Sequence, residues 1–90
     1  MGARRFVVRG RVQGVGFRWF ATRAAQRLGV RGWVRNLPDG SVEVVASAEE
    51  IVLTALGAEL RRGPRGAQVT ELVSEEFTEP PGGFAGFEVR

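Results

Sequence analysis

The sequence predicts an α+β fold in which two helices pack on one face of a mainly antiparallel sheet. Three observations predict it. Two segments carry apolar residues at helical spacing, several shorter segments alternate apolar and polar residues, and glycine- or proline-bearing turns separate them.

Arg4 to Val12 reads as the first strand, with Phe6, Val8 and Val12 loosely alternating against Arg9 and Arg11. Gln13-Gly14-Val15-Gly16 is a glycine-bearing turn. Phe17 to Leu28 is helical: Phe17, Phe20, Ala21, Ala24 and Leu28 share one face, Arg23, Gln26 and Arg27 the other, and Gly29 is placed to cap the end. Val30 to Asn36 is a second strand. Leu37-Pro38-Asp39-Gly40 is a turn, because proline presets φ and glycine accepts positive φ. Ser41 to Ala46 returns as the other arm of a hairpin.

Ser47 and Glu50 match the S-x-x-E capping box, so the second helix is expected to open at Ser47. Ile51, Val52, Ala55, Leu56 and Leu60 form its apolar face, and Gly63-Pro64 stops it. Val69 to Phe77 is extended, with a slip in alternation between Val69 and Leu72 that predicts a bulge. Pro80 to Gly83 is a loop, and Gly86 to Arg90 a short last strand. The order βαββα followed by two strands is the ferredoxin-like split βαβ pattern. Residues 1–90 are expected to form one domain.

Composition excludes several chemistries. The 90 residues are 43% hydrophobic, as expected of a globular chain. There is no Cys and no His. A disulfide, a thiolate nucleophile, a phosphohistidine and a Ser-His-Asp triad are therefore all excluded. All 13 basic side chains are Arg, which also excludes a side-chain Schiff base. The net charge of +3 and a pI near 11.3 favour anionic partners. The arginines are spread along the chain rather than gathered in a run, so nucleic acid does not follow from the charge. No apolar run reaches the length of a membrane span, and Met1 to Arg9 has no signal-peptide pattern. A cytoplasmic location is expected.

The segment from Gly10 to Arg18 is the first chemical candidate. A strand enters a turn with two glycines and then a helix N-terminus, a geometry in which backbone N–H groups form an anion-binding nest. Arg18, in the first helical turn, can close over the same anion with its planar fork of donors. The competing reading is a tight connection with an exposed arginine. The segment is not a Walker loop, since it lacks the Gly-Lys-Ser/Thr ending. Asn36 is the second candidate: its amide can donate to and accept from one water, although it also suits a simple turn position. Trp19, Trp33 and Arg35 suggest an aromatic–arginine nucleic-acid surface, set against ordinary packing or surface roles. The RNP1 pattern of an RNA-binding relative of this fold is missing. Glu75, Glu76 and Glu79 read as a solvated strand end rather than a metal site.

Val12-Gln13-Gly14-Val15-Gly16-Phe17-Arg18, followed by Gly32-Trp33-Val34-Arg35-Asn36-Leu37-Pro38-Asp39-Gly40-Ser41-Val42-Glu43, closely resembles the acylphosphatase family. Gly63-Pro64 and the closing Phe87-Glu88-Val89-Arg90 resemble it too, so the likeness spans nearly the whole chain. The divergent stretch, Arg65 to Gly83, holds no candidate site residue. The same motif opens larger hydrogenase-maturation proteins, but Asn36 to Gly40 and the overall span look more like the free-standing enzyme.

The resemblance implies hydrolysis of a carboxyl–phosphate anhydride without metal or cofactor. Gln13, Gly14, Val15, Gly16, Phe17 and Arg18 would bind the phosphate, Arg18 would hold it, and Asn36 would position the attacking water. The expected partner is a small acyl phosphate, with inorganic phosphate or sulfate as competing anions, and the expected state is a monomer. Two other classes stay open: a non-catalytic module that captures a phosphorylated metabolite, and an RNA-binding ferredoxin-like domain.

Overall fold

The computed structural model describes residues 2–90. Strand β1 (Gly2–Arg11) leads into helix α1 (Phe17–Leu28), and strands β2 (Arg31–Asn36) and β3 (Val42–Ala48) follow as a hairpin. Helix α2 (Glu50–Arg62), strand β4 (Gln68–Phe77) and the short strand β5 (Phe87–Val89) complete the chain. The sheet order is β4-β1-β3-β2-β5. Every neighbouring pair is antiparallel except β2 with β5, which is parallel. This is the predicted α+β, ferredoxin-like arrangement, extended by one parallel edge strand. Among the described residues no helix is long and apolar enough to cross a membrane.

One core holds the layers together. Phe6 and Val8 of β1, Val34 of β2, and Val42, Val44 and Ala46 of β3 line the covered face of the sheet. Phe17, Ala21, Ala24 and Ala25 of α1 and Leu53, Leu56 and Leu60 of α2 cover it. The small alanines let α1 lie close to the sheet. On α2, Gly57 serves the same end, since a Cβ there would stand 3.1 Å from the Phe6 ring. Burying side chains of this size contributes roughly 1.5–3 kcal/mol each, which fixes both helices and whatever their ends carry.

The bulge expected between Val69 and Leu72 is present: Arg9 pairs with Glu71 and Gly10 with Val69, which leaves Thr70 as the extra residue of β4. The helix start at Ser47 is corrected. Ser47 lies inside β3, paired with Ala3 on one side and Arg31 on the other. Helix α2 begins at Glu50, with Glu49 at the cap position and no side-chain cap. Strand pairing on both sides of β3 satisfies this backbone and outcompetes the local capping motif.

Candidate active site

The β1–α1 connection is built around two positive-φ positions. Gly14 has φ 76° and Gly16 φ 78°, values that side-chain-bearing residues rarely adopt. Gly16 is also the N-cap of α1, and its carbonyl accepts from the Phe20 N–H at 3.0 Å. The next residue, Phe17, is sunk in the core, so the first turn of α1 is anchored from below. Arg18 is consequently carried on the outside of that turn, where it is exposed. Among the described residues Arg18 takes part in no ion pair, whereas Arg5, Arg9 and Arg35 are each matched to a glutamate.

Asn36 reaches the same place from the sheet. It is the last residue of β2 and pairs with Val42. Successive strand residues alternate faces, so Asn36 shares the covered face with Val34, two residues earlier. A cavity of about 200 Å³ is lined by Val12, Gln13, Gly14, Gly16, Phe17, Arg18, Trp19 and Asn36. The fold thus brings together two candidates that stand 18 residues apart in sequence. Val15 is the one loop residue of the expected set that does not line the cavity, because it packs against the core.

Gln13 differs from the others in what its side chain does. Its Nε2 donates to the carbonyl oxygens of Leu37 at 2.8 Å and Ser41 at 2.9 Å, both in the β2–β3 turn. That turn is further closed by Leu37 N–H to Ser41 O, Gly40 N–H to Leu37 O, and Asp39 accepting from the Ser41 amide and hydroxyl. The Ser41 hydroxyl and amide hold the Asp39 carboxyl below its ordinary range.

Trp19, read from sequence as a packing or surface residue, stands at the cavity and is 65% exposed, with the Arg23 guanidinium 4.8 Å from its ring centroid. Trp33 is buried, with Arg35 and Arg90 over its ring at 5.0 and 4.9 Å. Arg35 is also tied to Glu43. These contacts and the burial of the ring give Trp33 and Arg35 a packing role and leave Trp33 little exposed surface on which a nucleic-acid base could stack. Glu75 pairs with Arg5, and Glu79 accepts from the Ser47 hydroxyl. Among the described residues no group of three or more His, Cys, Asp or Glu is placed to hold a metal ion. A larger cavity, about 680 Å³, opens at the other end of α1 beside Gly29, Ser47 and Glu79. It contains neither the glycine loop nor Asn36, and the chemistry points to the smaller one.

Known proteins agree with the fold and with the family resemblance. The sequence model of the acylphosphatase family matches residues 4–89. An acylphosphatase of Thermococcus kodakarensis is 51% identical over 80 residues, covering 89% of this chain and 86% of that protein. One from Pasteurella multocida is 45% identical over 87 residues, covering 97% and 96%. The crystal structure of an acylphosphatase from Bacillus subtilis superposes with a TM-score of 0.93 at 34% identity, covering 100% of this chain and 99% of that one. With a family match across almost its whole length and relatives this similar, the chain belongs to the acylphosphatase family.

Proposed function

We propose that this enzyme hydrolyses acyl phosphates by holding the phosphate in the loop 13–18 under Arg18 while Asn36 orients the attacking water. One observation carries the reading. Arg18 and Asn36, exposed residues of separate elements, line one small cavity together with a loop that has positive φ at Gly14 and Gly16.

Positive-φ positions in a turn generate the anion-binding nest, and the N-terminus of α1 adds its dipole. An arginine without a carboxylate partner is available to an anion, and its planar fork suits the phosphate oxygens. The cavity lining contains no carboxylate, imidazole or thiol to act as a base. The reaction can proceed without one. Water attacks phosphorus, the bond to the acyl oxygen breaks, and the electron pair leaves on a carboxylate of low basicity that needs no proton. A phosphate oxygen of the substrate takes the water proton. What the protein supplies is position and charge stabilisation, the main demands of a loose phosphoryl-transfer transition state.

Hydrolysis of acetyl phosphate by the purified chain, with and without chelator, tests this. Activity is expected in both, with competitive inhibition by inorganic phosphate. Arg18→Gln should remove most of the activity and weaken phosphate inhibition while leaving the fold intact. Near wild-type turnover in that variant would overturn the role of Arg18. Activity lost to chelator and restored by metal would overturn the metal-free mechanism.

A further inference from the structure

We infer that Gln13 is a positioning residue: its side-chain amide locks the β2–β3 turn, and with it Asn36, at a fixed place relative to the loop that holds the phosphate. The inference rests on the reading of Asn36 as the residue that orients water.

The two halves of the site belong to different parts of the fold. The loop 13–18 joins β1 to α1, while Asn36 ends β2, and the turn beyond it spans residues 37–41. Gln13 bridges them. Both hydrogens of its Nε2 are used, one on Leu37 O and one on Ser41 O. These carbonyls belong to the first and last residues of the turn, and each already accepts a backbone N–H, from Gly40 and Leu37 respectively. The amide therefore pins both ends of the turn to the phosphate loop. Asn36 is bracketed by its pairing with Val42 and by this clamp on the adjacent Leu37.

The residue type fits the task. A neutral amide offers two donors to two carbonyls without carrying a charge beside an anion site. A lysine or arginine here would be drawn to the phosphate instead, and a glutamate would face the carbonyls with like partial charge. Because both side-chain hydrogens are committed to the turn, any contact of Gln13 with phosphate falls to its backbone N–H. In-line displacement needs water and phosphorus held at a set distance, and a misplacement of about 1 Å can cost roughly 10²-fold in rate.

A double-mutant cycle between Gln13 and Asn36 tests the inference, with kcat, KM and the phosphate inhibition constant measured on acetyl phosphate at a temperature where every variant is folded. Gln13→Met keeps the length of the side chain and removes its donors. It should lower kcat roughly 10-fold or more while the phosphate inhibition constant stays within about twofold. In the Asn36→Ala background the same change should alter kcat by less than about twofold, because the water is no longer held. A purely structural role would lower the active fraction by the same factor in both backgrounds, and that result overturns the inference. So does an unchanged kcat in Gln13→Met, or an inhibition constant that rises in step with the loss of rate. Gln13→Leu, which likewise lacks donors and charge, replaces Gln13→Met in the cycle if the latter does not fold, and failure of both to fold assigns the side chain to folding and overturns the inference. Wild-type kcat in Asn36→Ala alone would instead remove the water-positioning reading itself, so the two failures are distinguishable.

Discussion

Asn36 and Arg18 divide the work if one orients water and the other holds the anion, and kinetics can separate the two roles. An interaction made mainly in the transition state appears in kcat, whereas uniform substrate binding appears in KM. Asn36→Ala should therefore lower kcat by on the order of 10²-fold with a much smaller rise in KM, and phosphate inhibition should survive. A raised KM and weakened inhibition at unchanged kcat would move Asn36 to anion binding. Arg18→Lys should recover only part of the activity lost in Arg18→Gln, since a point charge cannot reproduce the planar fork. Steady-state rates on the two variants, side by side, check this. Both residues were legible in sequence because each adjoins strong punctuation: Arg18 follows a two-glycine turn, and Asn36 precedes Leu37-Pro38-Asp39-Gly40. The bridge made by the Gln13 side chain was not. Its acceptors are backbone carbonyls 24 and 28 residues away, and a carbonyl leaves no mark on residue identity. The place of Trp19 at the cavity was hidden for a related reason, since an aromatic on a helix reads equally as core or surface until the helix is oriented.

At the scale of elements, the central strand departs most from its local pattern. Every residue of β3 is buried, although Glu43 and Ser47 interrupt the apolar series, because β1 and β2 flank the strand on both sides. Local alternation foretells which face a side chain takes but not how deeply a strand lies in the sheet, and the same pairing displaced the capping box at Ser47. Glu43 is about 5% exposed and is met by Arg5 from β1 and Arg35 from β2, so one carboxylate ties three strands. Burial pushes the Glu43 carboxyl up, and the hydrogen bonds from Arg5 and Arg35 outweigh it, leaving the group below its ordinary value. A depressed folded value means that the stabilisation is present above the unfolded carboxylate range and is lost as pH falls through the folded value. Glu43→Gln should thus cost roughly 1–3 kcal/mol near neutral pH, after allowance for the partly exposed arginines. The gap between variant and wild type should close in acid. Chemical denaturation of both proteins from pH 7 down to pH 3 measures it, and a gap independent of pH would show that the carboxylate charge is not what ties the strands.

Considered as a whole, the molecule places its charge unevenly. Arg4, Arg5, Arg9, Arg27, Arg35, Arg62 and Arg90 all have glutamate partners. Arg11, Arg18, Arg23, Arg31, Arg61 and Arg65 take part in no ion pair among the described residues, and of these Arg18 is the one that lines the small cavity, where the helix N-terminus and the glycine loop add to its field. If phosphate binds there, it binds only the folded chain, because both the loop and its distance from Arg18 are products of folding. A ligand of this kind stabilises by RT ln(1 + [L]/Kd), which is about 2.7 kcal/mol at 100 times Kd. For a domain of this size that corresponds to a rise in Tm on the order of 10–20 °C. Thermal unfolding in increasing inorganic phosphate should show a rise that grows with the logarithm of concentration once it exceeds Kd. Phosphate and sulfate also stabilise many proteins by exclusion from the surface, and that effect grows about linearly with concentration. Arg18→Gln separates the two contributions: the logarithmic part should largely vanish while the shallow linear part remains. The Kd fitted to the logarithmic rise should match the inhibition constant measured in the hydrolysis assay, since both report the same site. Asn36→Ala should keep the logarithmic rise, because it leaves the loop and Arg18 untouched. A rise of equal size and curvature in Arg18→Gln would place the anion elsewhere on this arginine-rich surface and would detach the cavity from phosphate binding.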